Sequence, residues 1–83
     1  MYCVYILQNS KGNIYIGQTN NLERRLRYHN ENKNLATKRL GGPWRIVHEE
    51  ICNTRGIAMK RELYLKTGKG REFIKNILGN ARG

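Results

Sequence analysis

Tyr2-Cys3-Val4-Tyr5-Ile6-Leu7-Gln8 and Ile14-Tyr15-Ile16-Gly17-Gln18 are the stretches that decide the fold, with Asn9-Ser10-Lys11-Gly12-Asn13 between them. Both runs are rich in β-branched and aromatic residues, which suit a pleated, half-buried surface, and the spacer is dense in turn residues. Residues 2–18 are therefore expected to form a β-hairpin. A register pairing Gln8 with Gly12 sets Tyr5 opposite Tyr15 and puts both phenols on one face. A slip of one residue would separate them.

Outward from the hairpin, Asn20 with Glu23 three residues later reads as a capping box, opening a helix that runs to Asn30. Residues 31–43 are polar and end in Gly41-Gly42-Pro43, a basic loop. Trp44 to Ile51 reads as a third strand, with Pro43 tolerated at its start. Thr54 or Arg55 opens a second long helix to about Thr67, ended by Gly68 at a C-cap. Phe73, Ile74, Ile77 and Leu78 mark a short amphipathic segment. The expectation is one α+β (mixed α/β) domain over residues 1–83.

Eighty-three residues bound the core tightly, since a chain this short buries only about 60% of its unfolded surface. The longest apolar run, Val4 to Leu7, is far below the ~20 residues of a membrane span. The chain opens directly into a strand pattern, so a cytoplasmic protein without a signal segment or membrane contact is expected. Cys3, Cys52, His29 and His48 lack zinc-finger spacing, and two cysteines make no disulfide framework. Both are read as reduced thiols in or beside strands.

Charge narrows the partner. Sixteen Lys and Arg against six acids give a net charge of +10 and a pI near 10.1, a field suited to polyphosphates. Seven basic residues fall within 23–45 and seven within 55–75. Arg24, Arg27, Lys38, Arg39, Lys60, Arg61 and Lys66 are the expected nucleic-acid contacts. Gly68-Lys69-Gly70-Arg71 lacks the order of a phosphate loop. Trp44 is read as either a base-stacking residue or the largest side chain of a small core.

Three polar residues stand where packing alone would favour apolar ones. Leu22, Arg25, Leu26 and His29 share one helix face, and Ala58, Glu62 and Leu65 share another stripe. Either Arg25 and Glu62 bridge the two helices, or they serve a site with a carboxylate for a metal and cations for phosphate.

Tyr15-Ile16-Gly17, with Cys3-Val4-Tyr5 upstream, resembles the two halves of the GIY-YIG nuclease motif. The resemblance continues through Asn21-Leu22-Glu23-Arg24-Arg25-Leu26 and His29-Asn30 to Glu62 in Lys60-Arg61-Glu62-Leu63. It implies a three-stranded antiparallel sheet flanked by helices, with Tyr5 as the base that activates water and Tyr15 positioning water and phosphate. It further implies Arg25 on the phosphate, His29 as an auxiliary acid, base or phosphate contact, and Glu62 as ligand of a single Mg²⁺ or Mn²⁺. The implied activity is endonucleolytic hydrolysis of DNA in repair or recombination. The alternatives are a non-catalytic nucleic-acid-binding module, or a catalytic subunit directed to DNA by a protein partner. Cys3-Val4 replaces the usual Gly-Ile, Gln18 stands where many members carry lysine, and Asn76 and Asn80 are candidates for the family's C-terminal asparagine.

The chemistry turns on one proton. A phenol with a reference pKa of about 10 is only ~0.1% ionised at pH 7, so cations would have to lower the Tyr5 pKa. Otherwise His29, with a reference value near 6.5, is the better base.

Overall fold

The computed structural model describes the backbone of residues 1–81 and the side chains of residues 1–79. Its elements are β1 (Tyr2–Asn9), β2 (Ile14–Thr19), α1 (Leu22–Asn30), α2 (Leu35–Leu40), β3 (Trp44–Cys52), α3 (Arg55–Leu65) and α4 (Gly68–Ala81). The sheet is antiparallel in the order β2-β1-β3. β1 is central, and Cys3 through Leu7 are buried without a break. An uninterrupted apolar run is what a strand covered on both faces requires.

The two faces hold separate cores. Val4 and Ile6 pack with Cys52, Ala58, Leu65 and Ile74 under α3 and α4. Cys3, Tyr5, Leu7 and Trp44 pack with Tyr15, Leu22 and Leu26 under α1. Trp44 is thus a core residue, 3% exposed, and its buried position excludes the base-stacking reading.

Several boundaries differ from the sequence expectation. β1 pairs Gln8 with Ile14 and Tyr5 with Gly17, so the hairpin loop is longer than expected and Tyr15 faces Leu7. The cause is Asn9, whose Oδ1 accepts the N–H groups of Lys11 and Asn13 at 3.1 and 2.8 Å and holds a wide turn. Gly12 completes it at φ +87°, a left-handed conformation favouring glycine. α1 is capped by Asn21, not Asn20. Thr19 extends β2 by one residue, its Oγ1 accepts the Asn21 N–H at 3.1 Å, and Asn21 then accepts from Arg24 N at 3.0 Å.

The expected basic loop contains a helix, α2, capped by Asn34, whose Oδ1 accepts from Thr37 N at 3.2 Å. Gly68 begins α4 and does not cap α3. α3 ends at Leu65, and Thr67 Oγ1 accepts the Gly70 N–H at 3.3 Å. A Cβ on Gly70 would run into the backbone of Leu65, so glycine permits this close turn between the helices. Asn80 lies outside the residues whose side chains are described.

Candidate active site

The hairpin sets the floor of the site. The observed register differs from the expected one by two residues, and side chains alternate with period two. Tyr5 and Tyr15 therefore still share a face, as diagonal neighbours with ring centroids 6.3 Å apart. Gly17 stands directly across from Tyr5. A Cβ there would lie 2.5 Å from the Tyr5 hydroxyl and 2.7 Å from Cζ, so the phenol occupies space that only glycine leaves open.

α1 supplies the wall. Its apolar stripe of Leu22 and Leu26 docks on the Tyr5 face, and the same stripe carries His29 inward to full burial. His29 Nε2 lies 2.9 Å from the Tyr5 hydroxyl, and Nδ1 lies 2.9 Å from Thr37 Oγ1. Thr37, equally buried, donates its one hydroxyl proton to the Asn34 carbonyl at 3.3 Å. With that proton so placed, its oxygen accepts from His29, and Nδ1 is the protonated nitrogen of a neutral ring. Nε2 is then an acceptor, and Tyr5 donates to it. The Tyr15 ring packs 4.7 Å from the imidazole centroid, and Asn34 Nδ2 donates to the Tyr15 hydroxyl at 3.5 Å.

Electrostatics reinforce this protonation pattern. Burial, aided by the Arg25 guanidinium, pushes the His29 pKa below its ordinary value. Burial, then the neighbouring Tyr15 phenol, pushes Tyr5 well above the usual tyrosine range, against a lowering by Arg25. The protein surroundings alone thus hold Tyr5 as a protonated phenol. Glu62 also raises Tyr5, so its charge and that of Arg25 both act on the phenol, although α3 packs on the other face of the sheet. The structure thus brings Tyr5, Tyr15 and His29 into contact, while Arg25 and Glu62 reach the Tyr5 hydroxyl by charge alone.

Of the two alternatives for Arg25 and Glu62, the bridge does not form. Glu62 Oε2 accepts from Lys66 Nζ at 2.7 Å, one helical turn away, while the Arg25 guanidinium lies 5.2 Å over the Tyr28 ring. Among the expected nucleic-acid contacts, Arg24, Arg27, Lys38, Arg39 and Lys60 are exposed. Lys66 is committed to Glu62. Arg61 is taken up by a carboxylate of its own chain. It forks onto Glu50 at 2.7 and 3.0 Å and lies over the Phe73 and Tyr64 rings, tying α3 to β3 and α4.

Residues 1–76 match the description of the GIY-YIG catalytic domain. The chain belongs to the GIY-YIG family. It is 37% identical over 62 residues to a UPF0213 protein of Bacillus licheniformis, a match covering 75% of this chain and 64% of that protein, under two thirds of its length. A UPF0213 protein of Clostridium perfringens is 38% identical over 66 residues, covering 80% of this chain and 71% of the relative. The solution NMR structure of a UPF0213 protein from Bacillus halodurans superimposes with a TM-score of 0.55 at 29% identity, covering 93% of this chain and 85% of that one. The three-stranded antiparallel α+β fold is thus shared, and GIY-YIG domains are nucleases acting on nucleic acid.

Two residues of this GIY-YIG site escaped the sequence reading, Thr37 and Asn34. Both sit in α2 or its cap, where polar composition concealed a helix. The signal was present in Asn34 and Gly41, a cap residue at each end of a six-residue segment.

Proposed function

We propose that this chain is a metal-assisted endonuclease that hydrolyses DNA phosphodiester bonds. The observation carrying the reading is the buried chain Tyr5–His29–Thr37, a phenol hydrogen-bonded to an imidazole whose other nitrogen is held by a hydroxyl. A packing tyrosine needs only one partner for its hydroxyl. This one is backed by a group able to take its proton.

The reaction forms an O–P bond from water and breaks the P–O bond to the leaving nucleoside oxygen. Tyr5 takes a proton from the attacking water as it passes its own to His29 Nε2, so no free phenolate is populated. His29 becomes imidazolium, with Nδ1–H still held by Thr37, and the leaving oxygen is protonated from solvent. Arg25 offers a forked cation to the non-bridging oxygens, where charge develops. Tyr15 packs against the imidazole, and Asn34 holds the Tyr15 hydroxyl.

Glu62 is the residue that would hold Mg²⁺ or Mn²⁺. No group of three or more His, Cys, Asp or Glu side chains gathers among the described residues. Lys66 occupies Oε2 of Glu62, and no protein donor among the described residues reaches Oε1. One hard oxygen ligand fits Mg²⁺, which keeps several waters and is completed by substrate phosphate. When bound, such an ion neutralises charge on a phosphate oxygen.

Cleavage of a panel of flaps, forks, nicked and plain duplexes with Mn²⁺ or Mg²⁺ tests this reading and the expected repair or recombination setting. Glu62→Ala should abolish cleavage while DNA affinity stays equal or rises. Full activity in that variant would end the metal-ligand assignment. Binding without cleavage of any substrate would favour the non-catalytic module or the partner-dependent subunit.

A further inference from the structure

Outside the buried chain, α1 carries a second feature. Arg24, Arg25, Arg27 and Tyr28, with Glu31 and Lys33 at the end, line an open hollow of about 400 Å³. Glu31 is paired with Lys33 at 3.2 Å, which cancels the one acid in this lining. Among the described residues, none of Arg24, Arg25 and Arg27 has a carboxylate partner. Glu23, one turn before Arg27 on the same helix, forms no ion pair with them, and three arginines so close together repel one another, an arrangement that an incoming anion relieves.

We propose that this hollow is a second phosphate subsite, taking the phosphodiester next to the scissile one, with Tyr28 holding Arg25 between the two positions. The inference rests on the nuclease reading and names how its substrate strand is held. Residues three apart on a helix surface are about 5–6 Å apart, so exposed Arg24 and Arg27 can both reach one phosphate. Arg25 lies between that pair and His29. Its guanidinium lies 5.2 Å over the Tyr28 ring, and that ring meets His29 edge-on at 5.9 Å and 83°. Tyr28 thus touches both the cation and the imidazole of the site. It is a positioning residue, fixing Arg25 by its π-face where no carboxylate does so.

The test is an NMR titration of the whole chain in EDTA with the thymidine oligonucleotides TpT and TpTpT, which carry one and two phosphodiesters. TpT should perturb the Arg25 Nε–H signal. TpTpT should add Arg24 and Arg27 and bind about tenfold tighter, the worth of one added charged hydrogen-bonded contact. Arg24→Gln/Arg27→Gln should remove that advantage, whereas Lys69→Gln/Lys75→Gln on α4, with the same loss of charge, should keep it. Tyr28→Leu should weaken TpT binding and broaden the Arg25 signal, and Tyr28→Phe, which retains the ring, should not.

Equal affinity for the two ligands overturns the proposal. So does an advantage that survives the arginine double substitution or falls as far in Lys69→Gln/Lys75→Gln, since general attraction would then explain it. Tyr28→Leu behaving as the parent overturns the positioning role. The amide spectrum reports folding of each variant in the same experiment. No turnover is required, so absent cleavage alongside these binding results removes the nuclease reading alone.

Discussion

The Tyr5 hydroxyl and His29 Nε2 are hydrogen-bonded at 2.9 Å, and both residues are almost wholly shut off from solvent. Burial raises the pKa of the phenol and lowers that of the imidazole. Each shift disfavours an ion by itself. Moving one proton between them while another arrives from water leaves Tyr5 neutral throughout, so the raised phenol pKa is no obstacle. His29 must be neutral at the start.

Cleavage should therefore rise with pH along an acid limb lying below 6.5, the ordinary histidine value. Arg25→Gln, besides slowing the reaction, should move that limb upward, because a positive neighbour that opposes protonation is gone. Stability follows the same sign. The folded pKa of His29 lies below its unfolded one, so its contribution is complete above about pH 6.5 and is lost as pH falls towards the folded value. Single-turnover rates and chemical denaturation between pH 4.5 and 8 measure both.

Gly17→Ala should displace the Tyr5 ring, since the new methyl would lie 2.5 Å from its oxygen. Overpacking of this kind costs about 1–3 kcal/mol, and cleavage should fall with the misplaced phenol. Adding Tyr5→Phe removes the nearest atom and should recover part of the stability without recovering activity. Denaturation midpoints of the single and double variants decide the matter.

Thr37→Val should strand the buried Nδ1–H of His29, a loss of about 1–3 kcal/mol, and should slow cleavage because the tautomer is no longer enforced. Thr37→Ser keeps the hydroxyl and should retain most of both. An active, stable Thr37→Val protein would mean that the hydroxyl does not orient the ring.

Arg61→Met should lower stability by about 1–2 kcal/mol through the lost fork onto Glu50, while leaving DNA affinity and its salt dependence unchanged. A weaker salt slope in this variant would return Arg61 to the phosphate contacts.

The strands, α1 and α3 were legible because β-branched runs and apolar helical stripes report burial directly. Arg25, His29 and Glu62 stood out as polar residues on apolar helix stripes, whereas Tyr5 and Tyr15 were singled out by the resemblance to the GIY-YIG motif. The hairpin register was not legible, because it depends on how Asn9 folds its side chain back on Lys11 and Asn13. The face assignment survived only because the error was an even number of residues. Thr37 was hidden by α2, whose exposed, basic composition has no apolar stripe to announce it. Arg61 looked like its neighbours in a basic helix. Only the position of Glu50 on β3, distant in sequence, separates it from them.

The most direct test of the account is single-turnover cleavage by Tyr5→Phe, His29→Ala and the double variant, at a temperature where all three are folded. If Tyr5 relays its proton to His29, each single substitution should slow cleavage by roughly 10²–10⁴-fold. The double should be no slower than the worse single, because groups acting as one unit give non-additive losses. Parental rates in Tyr5→Phe, or losses that multiply in the double variant, would contradict the relay.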